Sequence, residues 1–143
     1  MRMLAARALL ASVVVVMTTA APRLRADDGA PVAALPSWKK GVQEGVVRID
    51  GQDERFVALV PNGYSPKKPC PTALLLHGNG GKAADFLQTV KASVGKASLL
   101  LIALERCDNN QKAQGYAPKY LEALRRQFAI ADGKLFALGF SGG

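Results

Sequence analysis

Leu135-Phe136-Ala137-Leu138-Gly139-Phe140-Ser141-Gly142-Gly143 closes this chain of 143 residues. The first four residues are apolar and read as a buried strand. The next five match the pattern G-x-S-x-G. After a strand, that pattern builds a sharp turn which lifts a serine hydroxyl above the sheet edge. The turn crowds the positions two before and two after the serine. Gly139 and Gly143 bring no side chain to those positions. The backbone N–H of Gly142 is left pointing toward whatever the Ser141 hydroxyl attacks.

Upstream of this stretch, Asp132-Gly133 is a turn signal leading into the strand. Before it, Tyr120, Leu121, Leu124 and Phe128 make an apolar helical stripe, with Arg125 and Arg126 outside it and Pro118 in the first turn. Residues 105–115 are polar and irregular. They follow the apolar run 98–104, at the end of a strand where open α/β sheets carry their substrate-facing loops. A second helix is expected over residues 83–94, with Leu87, Val90 and Val94 on one face, Phe86 beside them and Gly95 as the stop. Thr72-Ala73-Leu74-Leu75-Leu76 is apolar without alternation, as in a strand buried on both faces of a parallel sheet. Residues 45–49 and 55–60 read as two strands joined through Asp50-Gly51, a strong hairpin signal. The order is hairpin, strand, helix, strand, helix, strand, which implies an α/β sheet with right-handed crossovers.

A Gly-rich loop, His77-Gly78-Asn79-Gly80-Gly81, directly follows the strand 72–76. A serine nucleophile needs a second donor for the oxyanion formed when it attacks a carbonyl. Losing one such donor costs about 3 kcal/mol of transition-state stabilisation. The Asn79 N–H is the candidate, with Gly78 and Gly80 shaping the loop. A phosphate loop is excluded, because G-x-x-x-x-G-K-[ST] would need glycine at Leu76 and serine or threonine at Ala83. A dinucleotide fingerprint fails too, since no G-x-G-x-x-G is present; Ala83 would fit only loosely as its third small residue. His77, the single histidine, is not assigned as the base. In this arrangement the chain order is Ser, then Asp or Glu, then His, and His77 precedes Ser141. It is expected to be a structural hydrogen-bonding residue. The acid and the base are expected beyond residue 143, so neither Glu105 nor Asp108 is nominated. One histidine and few carboxylates leave no credible metal ligands, and no cofactor is implied.

The net charge of +8 does not indicate nucleic acid. Arg2, Arg7, Arg23 and Arg25 lie in the leader, and setting them aside leaves fifteen of the 19 basic residues against 11 acidic ones. Those fifteen are scattered, with no basic run. Residues 1–26 read as a signal peptide: a positive start, an apolar core over 8–17, then small residues, with cleavage near Ala26 or Ala20. The apolar run is shorter than the roughly 18–20 residues of a membrane span, so no stable membrane anchor is expected. Residues 27–41 read as a flexible lead-in, with Trp38 anchoring the start of a domain over 42–143. Cys70 precedes one parallel strand and Cys107 follows another. They are expected roughly 20 Å apart at opposite ends of the sheet, too far for a disulfide, which needs Cα atoms within about 7 Å of each other.

On the runs 74–78, 120–128 and 133–143, the chain resembles the α/β-hydrolases. It looks most like secreted esterases of the polyhydroxybutyrate depolymerase-like and feruloyl-esterase-like groups. The resemblance covers roughly residues 42–143. It implies an α/β-hydrolase fold: a mostly parallel sheet with an N-terminal antiparallel hairpin, here truncated at the nucleophile elbow. It also implies Ser141 as nucleophile, the Asn79 and Gly142 backbones as oxyanion donors, and a small-molecule or polymeric ester as substrate. The family's acid and histidine have no counterpart here. The 143 residues are therefore expected to be inactive as they stand, and the apolar edge of the last strand to be uncovered. A secreted or periplasmic location goes with the leader. Two other readings share the scaffold: a prolyl-oligopeptidase-type serine peptidase and a non-catalytic secreted binding domain. Oligomeric state is not legible.

Overall fold

The computed structural model describes residues 14–17, 34–94, 97–107 and 116–141. The hairpin comes first among the predicted elements. Strands β2 (Gly41–Ile49) and β3 (Gln52–Val60) pair antiparallel along their whole length. Asp50 and Gly51 have φ of 50° and 81°. Positive φ at both central residues is the type I′ condition, whose twist matches that of the flanking strands. The strands begin earlier than residues 45 and 55, so Gly41, assigned from the sequence to the lead-in, already lies in β2.

Strands β4 (Cys70–Leu76), β5 (Leu100–Leu104) and β6 (Ile130–Gly139) form the parallel part of the sheet. Here β4 lies between β5 and β6 and runs parallel to both. Strand β3 joins β5 antiparallel. The expectation of a mostly parallel sheet is thus corrected to a mixed sheet of order β1-β6-β4-β5-β3-β2, in which β1 is Val14–Met17. The reason is that the hairpin docks through β3 and turns against the direction of β5. Only the strands linked by helical crossovers are constrained to be parallel.

Strand β1 (Val14–Met17) pairs antiparallel with β6, Val14 opposite Gly139 and Met17 opposite Phe136. The sequence reading placed these residues in the apolar core of a leader and left the β6 edge uncovered. An unpaired strand edge presents free N–H and C=O groups, and a short apolar segment satisfies them by pairing there.

The helices cover opposite faces. Helix α1 (Ala83–Val94) matches its predicted span and buries Ala83, Leu87 and Val90 against Leu75, Leu101 and Ala103. Helix α2 (Tyr116–Arg125) buries Tyr120 and Leu124 against Phe56, Leu74 and Ile102 on the other face. Consecutive residues of β4 and β5 therefore feed different cores. That is why both strands read as unbroken apolar runs. Phe128, placed by the periodicity on the helical stripe, lies beyond the end of α2 yet is 1% exposed. Arg126 and Gln127 donate to the carbonyls three residues back, which tightens the chain after the helix and delivers the ring to the core.

Strand β6 starts five residues before the predicted run. Cys70 pairs with Ile130 and Thr72 with Leu135, so the residues between Ile130 and Leu135 bulge out of the ladder. Gly133, at φ 72°, provides the bend that Asp132-Gly133 announced as a turn. Gly95, the expected stop of α1, is outside the described residues.

Trp38 anchors the segment before β2 as anticipated. Its ring stacks on Phe128 with centroids 4.9 Å apart, and its Nε1 donates to the Gln127 carbonyl at 3.0 Å. Gly45 of β2 faces this aromatic cluster. A Cβ on it would lie 2.9 Å from Trp38 Cη2 and closer still to the Phe56 ring. Gly45→Ala is therefore expected to destabilise the fold by about 1–3 kcal/mol. A drop in the urea midpoint at unchanged m-value would show it. Cys70 at the start of β4 and Cys107 after β5 are not joined to each other by a disulfide. Burial raises the Cys70 pKa above the ordinary thiol value. No helix among the described residues is long and apolar enough to cross a membrane.

Candidate active site

Because β4, β5 and β6 are parallel, their C-terminal ends meet at one edge. The register sets Leu76 beside Gly139 and Leu75 beside Ala103. The segments that leave these ends are 77–82, 105–107 and 140–141. This is where open α/β sheets bind ligands.

Ser141 follows β6 with φ of 55°. The left-handed region costs an L-residue about 1–2 kcal/mol and is occupied only when the surroundings impose it. The surroundings are visible. Phe140 N donates to the Leu76 carbonyl at 3.0 Å, tying the turn to the end of β4. Gly78 packs against the turn, and a Cβ there would fall 3.0 Å from Ser141 Cβ and 3.1 Å from the Phe140 carbonyl. A side chain at residue 78 would press the Gly-rich loop and the serine turn apart by a few tenths of an ångström. Gly139 closes β6 opposite Leu76. Gly142 and Gly143, the proposed donor and the second crowding glycine, lie outside the described residues.

Within the loop, Gly81 N donates to the Gly78 carbonyl at 3.0 Å, and Gly80 adopts φ 73°. Asn79 is exposed between two cavities. One, of about 340 Å³, is lined by Gly78, Asn79, Gly80, Glu54, Glu105 and Arg106, among others. The other, of about 240 Å³, adds Phe86 of α1 and Phe140 to the same loop. Phe140 is 43% exposed beside Ser141, an open apolar surface next to the hydroxyl.

His77 is 7% exposed. Its Nδ1 lies 2.9 Å from the Gly78 carbonyl and its Nε2 3.0 Å from the Glu105 carbonyl. A general base must offer an unprotonated nitrogen to the group it activates. Here both nitrogens face carbonyl acceptors, so the ring is arranged to brace the loop.

The sequence reading missed a charged network beneath the larger cavity. Glu54 of β3 is 6% exposed. Its carboxylate accepts from Arg106 Nη1 at 2.8 Å and from the Tyr120 hydroxyl at 3.1 Å. Gln52 accepts from the same Nη1 at 3.2 Å. Burial, and then the charge of Glu54, push the Tyr120 pKa far above the ordinary tyrosine value, so the phenol stays a neutral donor. A signal for this network existed. Glu54, Phe56, Ala58 and Val60 share one parity in β3, and a lone charge on an inward face requires partners. Among the described residues, no group of three or more His, Cys, Asp or Glu is placed to hold a metal. Asp108 is outside the described residues.

No family model and no curated protein matches the sequence. Solved structures match by shape. A thermostable esterase aligns over 71% of this chain and 35% of its own, with TM-score 0.50 and 16% identity. The substrate-bound fluorophosphonate-binding serine hydrolase F of Staphylococcus aureus aligns over 64% of this chain and 43% of its own, with TM-score 0.48 and 14% identity. A 2,6-dihydroxy-pseudo-oxynicotine hydrolase aligns over 68% and 29%, with TM-score 0.49 and 14% identity. The chain spans less than half the length of each of these proteins. At such identities the likeness is one of fold. With its hairpin, its three parallel strands and a serine turn at their common edge, the chain carries part of the α/β-hydrolase fold.

Proposed function

We propose that Ser141 is the nucleophile of an exported serine hydrolase acting on carboxylic esters, and that residues 42–143 form the N-terminal part of its catalytic domain. The observation that carries this reading is the positive φ of Ser141 at the end of β6, with Gly78 packed against it. A strained serine in that place is also exposed, so its hydroxyl is open to solvent rather than spent on the core. It presents a hydroxyl at the edge where the Gly-rich loop stands.

In this reading the Ser141 Oγ adds to the ester carbonyl, and its proton passes to a histidine supplied from beyond residue 143. The carbonyl oxygen, now negative, is held by the backbone N–H groups of Asn79 and Gly142. Collapse of the intermediate expels the alcohol, which takes the proton. Water then releases the acid from the acyl-serine by the same route in reverse. His77 holds the loop and transfers no proton. Export rests on residues 1–26; cleavage near Ala26 would remove Val14–Met17 from the edge of β6.

A fluorophosphonate reporter, applied to the protein together with the sequence that supplies the histidine, tests the assignment. The serine displaces fluoride and becomes phosphonylated. Peptide mass mapping is expected to place the label on Ser141. A label on another residue, or none, overturns the reading.

A further inference from the structure

The loop from His77 to Lys82 contains three glycines in six residues. Free glycine backbone samples more conformations than any other, so ordering such a loop costs more entropy than ordering an ordinary one. An oxyanion donor is effective only when it is held before the charge develops. Something outside the loop must therefore hold it.

Glu105, the first residue after β5, touches both ends of this loop. At the N-terminal end, its carbonyl oxygen lies 3.0 Å from His77 Nε2, within hydrogen-bond reach. At the C-terminal end, its carboxylate Oε2 accepts from the Ala83 N–H at 3.3 Å. Ala83 opens α1, and its N–H is one of the donors that a helix start leaves without an intrahelical partner. The carboxylate thus caps α1 from a neighbouring strand, and its negative charge is favourable at that helix end.

Glu105 is itself held. Its N–H donates to the Arg55 carbonyl of β3 at 3.1 Å. The next residue, Arg106, is tied to the buried Glu54. The one after, Cys107, reaches back, its thiol donating to the His77 carbonyl at 3.4 Å. Three consecutive residues therefore join β3, β5 and the Gly-rich loop.

We propose that Glu105 is the positioning residue of the Gly-rich loop, pinning it at His77 and at Ala83 so that the Asn79 N–H is aimed before substrate arrives. The proposal rests on the hydrolase reading for its purpose and on these hydrogen bonds for its substance. Glu105 touches neither the nucleophile nor the reacting atoms. It acts through the loop. The carbonyl contact survives any substitution, so the side chain's share is isolated by changing the carboxylate alone.

Residue-resolved amide exchange on the 143-residue chain tests the clamp, with Glu105→Ala and Glu105→Gln. Glu105→Ala removes the acceptor, and the Ala83 and Gly81 amides are expected to exchange about ten-fold faster, the scale of a lost helix cap. Amides in the centres of β4 and β5 should stay within about two-fold of wild type, which a merely structural role would not produce. Glu105→Gln keeps an acceptor oxygen and should restore most of the loop protection. Unchanged Ala83 and Gly81 exchange in Glu105→Ala overturns the clamp. So does an equal rise across loop and strands. If Glu105→Ala does not fold, wild-type exchange at Ala83 in Glu105→Gln supports the acceptor role, and loss of protection there overturns it. Fluorophosphonate labelling of the wild-type protein is read separately. Its absence from Ser141 overturns the hydrolase reading and leaves the exchange result standing.

Discussion

Ser141→Ala is expected to lower kcat/KM for an ester substrate by about 10⁴-fold or more in the protein that carries its histidine, since removing a triad serine can cost about 10⁶-fold in kcat. The residual rate is what the oxyanion donors and binding sustain without a nucleophile. A p-nitrophenyl ester assay reads the loss directly. Ser65→Ala is the control, because Ser65 sits in the loop between β3 and β4, away from the common edge of the parallel strands. If Ser141→Ala keeps wild-type turnover, the wrong serine has been assigned.

The same position makes a second, opposite demand on stability. At φ 55°, Ser141 is in a conformation that an L-residue enters at a cost and glycine enters freely. Ser141→Gly should therefore abolish turnover as Ser141→Ala does, yet raise stability by about 0.5–1 kcal/mol. Ser141→Ala should show no such gain. A thermal or urea unfolding comparison of the two variants separates backbone strain from loss of the hydroxyl. Equal stability would mean that the turn is not strained at this residue.

Phe128→Ala is expected to have the largest effect on the fold itself, about 3–5 kcal/mol. The ring is 1% exposed and stands at the centre of an aromatic group. Trp38 stacks on it at 4.9 Å, and Phe56 and Tyr64 meet it edge-on at 5.7 and 6.2 Å. Such pairs add about 0.5–1.5 kcal/mol beyond the area they bury. Removing the ring opens a cavity and also frees Trp38, whose stacking holds the segment before β2 onto the sheet. A domain of this size has roughly 5–15 kcal/mol in hand, so the variant should unfold at much lower urea. Trp38 is the only tryptophan, so its fluorescence reports the change at its source. A red-shifted native emission together with a large fall in midpoint is the expected pair of signals. A fall below about 1 kcal/mol would show that the cluster repacks around the gap.

The elements that local patterning specifies were legible. Asp50-Gly51 announced the hairpin because positive φ at two adjacent positions is a demand on residue type. Helix α1 was legible to its ends because its buried positions repeat at helical spacing over three turns. Ser141 was singled out by the G-x-S-x-G pattern; the structure ends β6 at Gly139, gives Ser141 a φ of 55° and brings Gly78 against it from across the edge. The end of α2 was misjudged because Phe128 keeps the helical period while the backbone has left the helix. The early start of β6 was missed because Asp132-Gly133 carries a turn's composition inside a bulged strand.

By itself, then, the sequence determined which segments are strands and helices, where the hairpin bends, and that a serine turn and a Gly-rich loop follow two of the strands. Each of these depends on residues close together in the chain. Only the tertiary structure decided that β4 lies between β5 and β6, that the hairpin docks antiparallel, and that Val14–Met17 pairs with β6. It also joined Glu54 to Arg106 and Tyr120, and set Glu105 against His77 and Ala83. These contacts bridge residues 22 to 66 positions apart. No local period encodes such pairings. They exist because the sheet edge, the buried carboxylate and the open helix start each needed a hydrogen-bond partner, and folding brought one within reach.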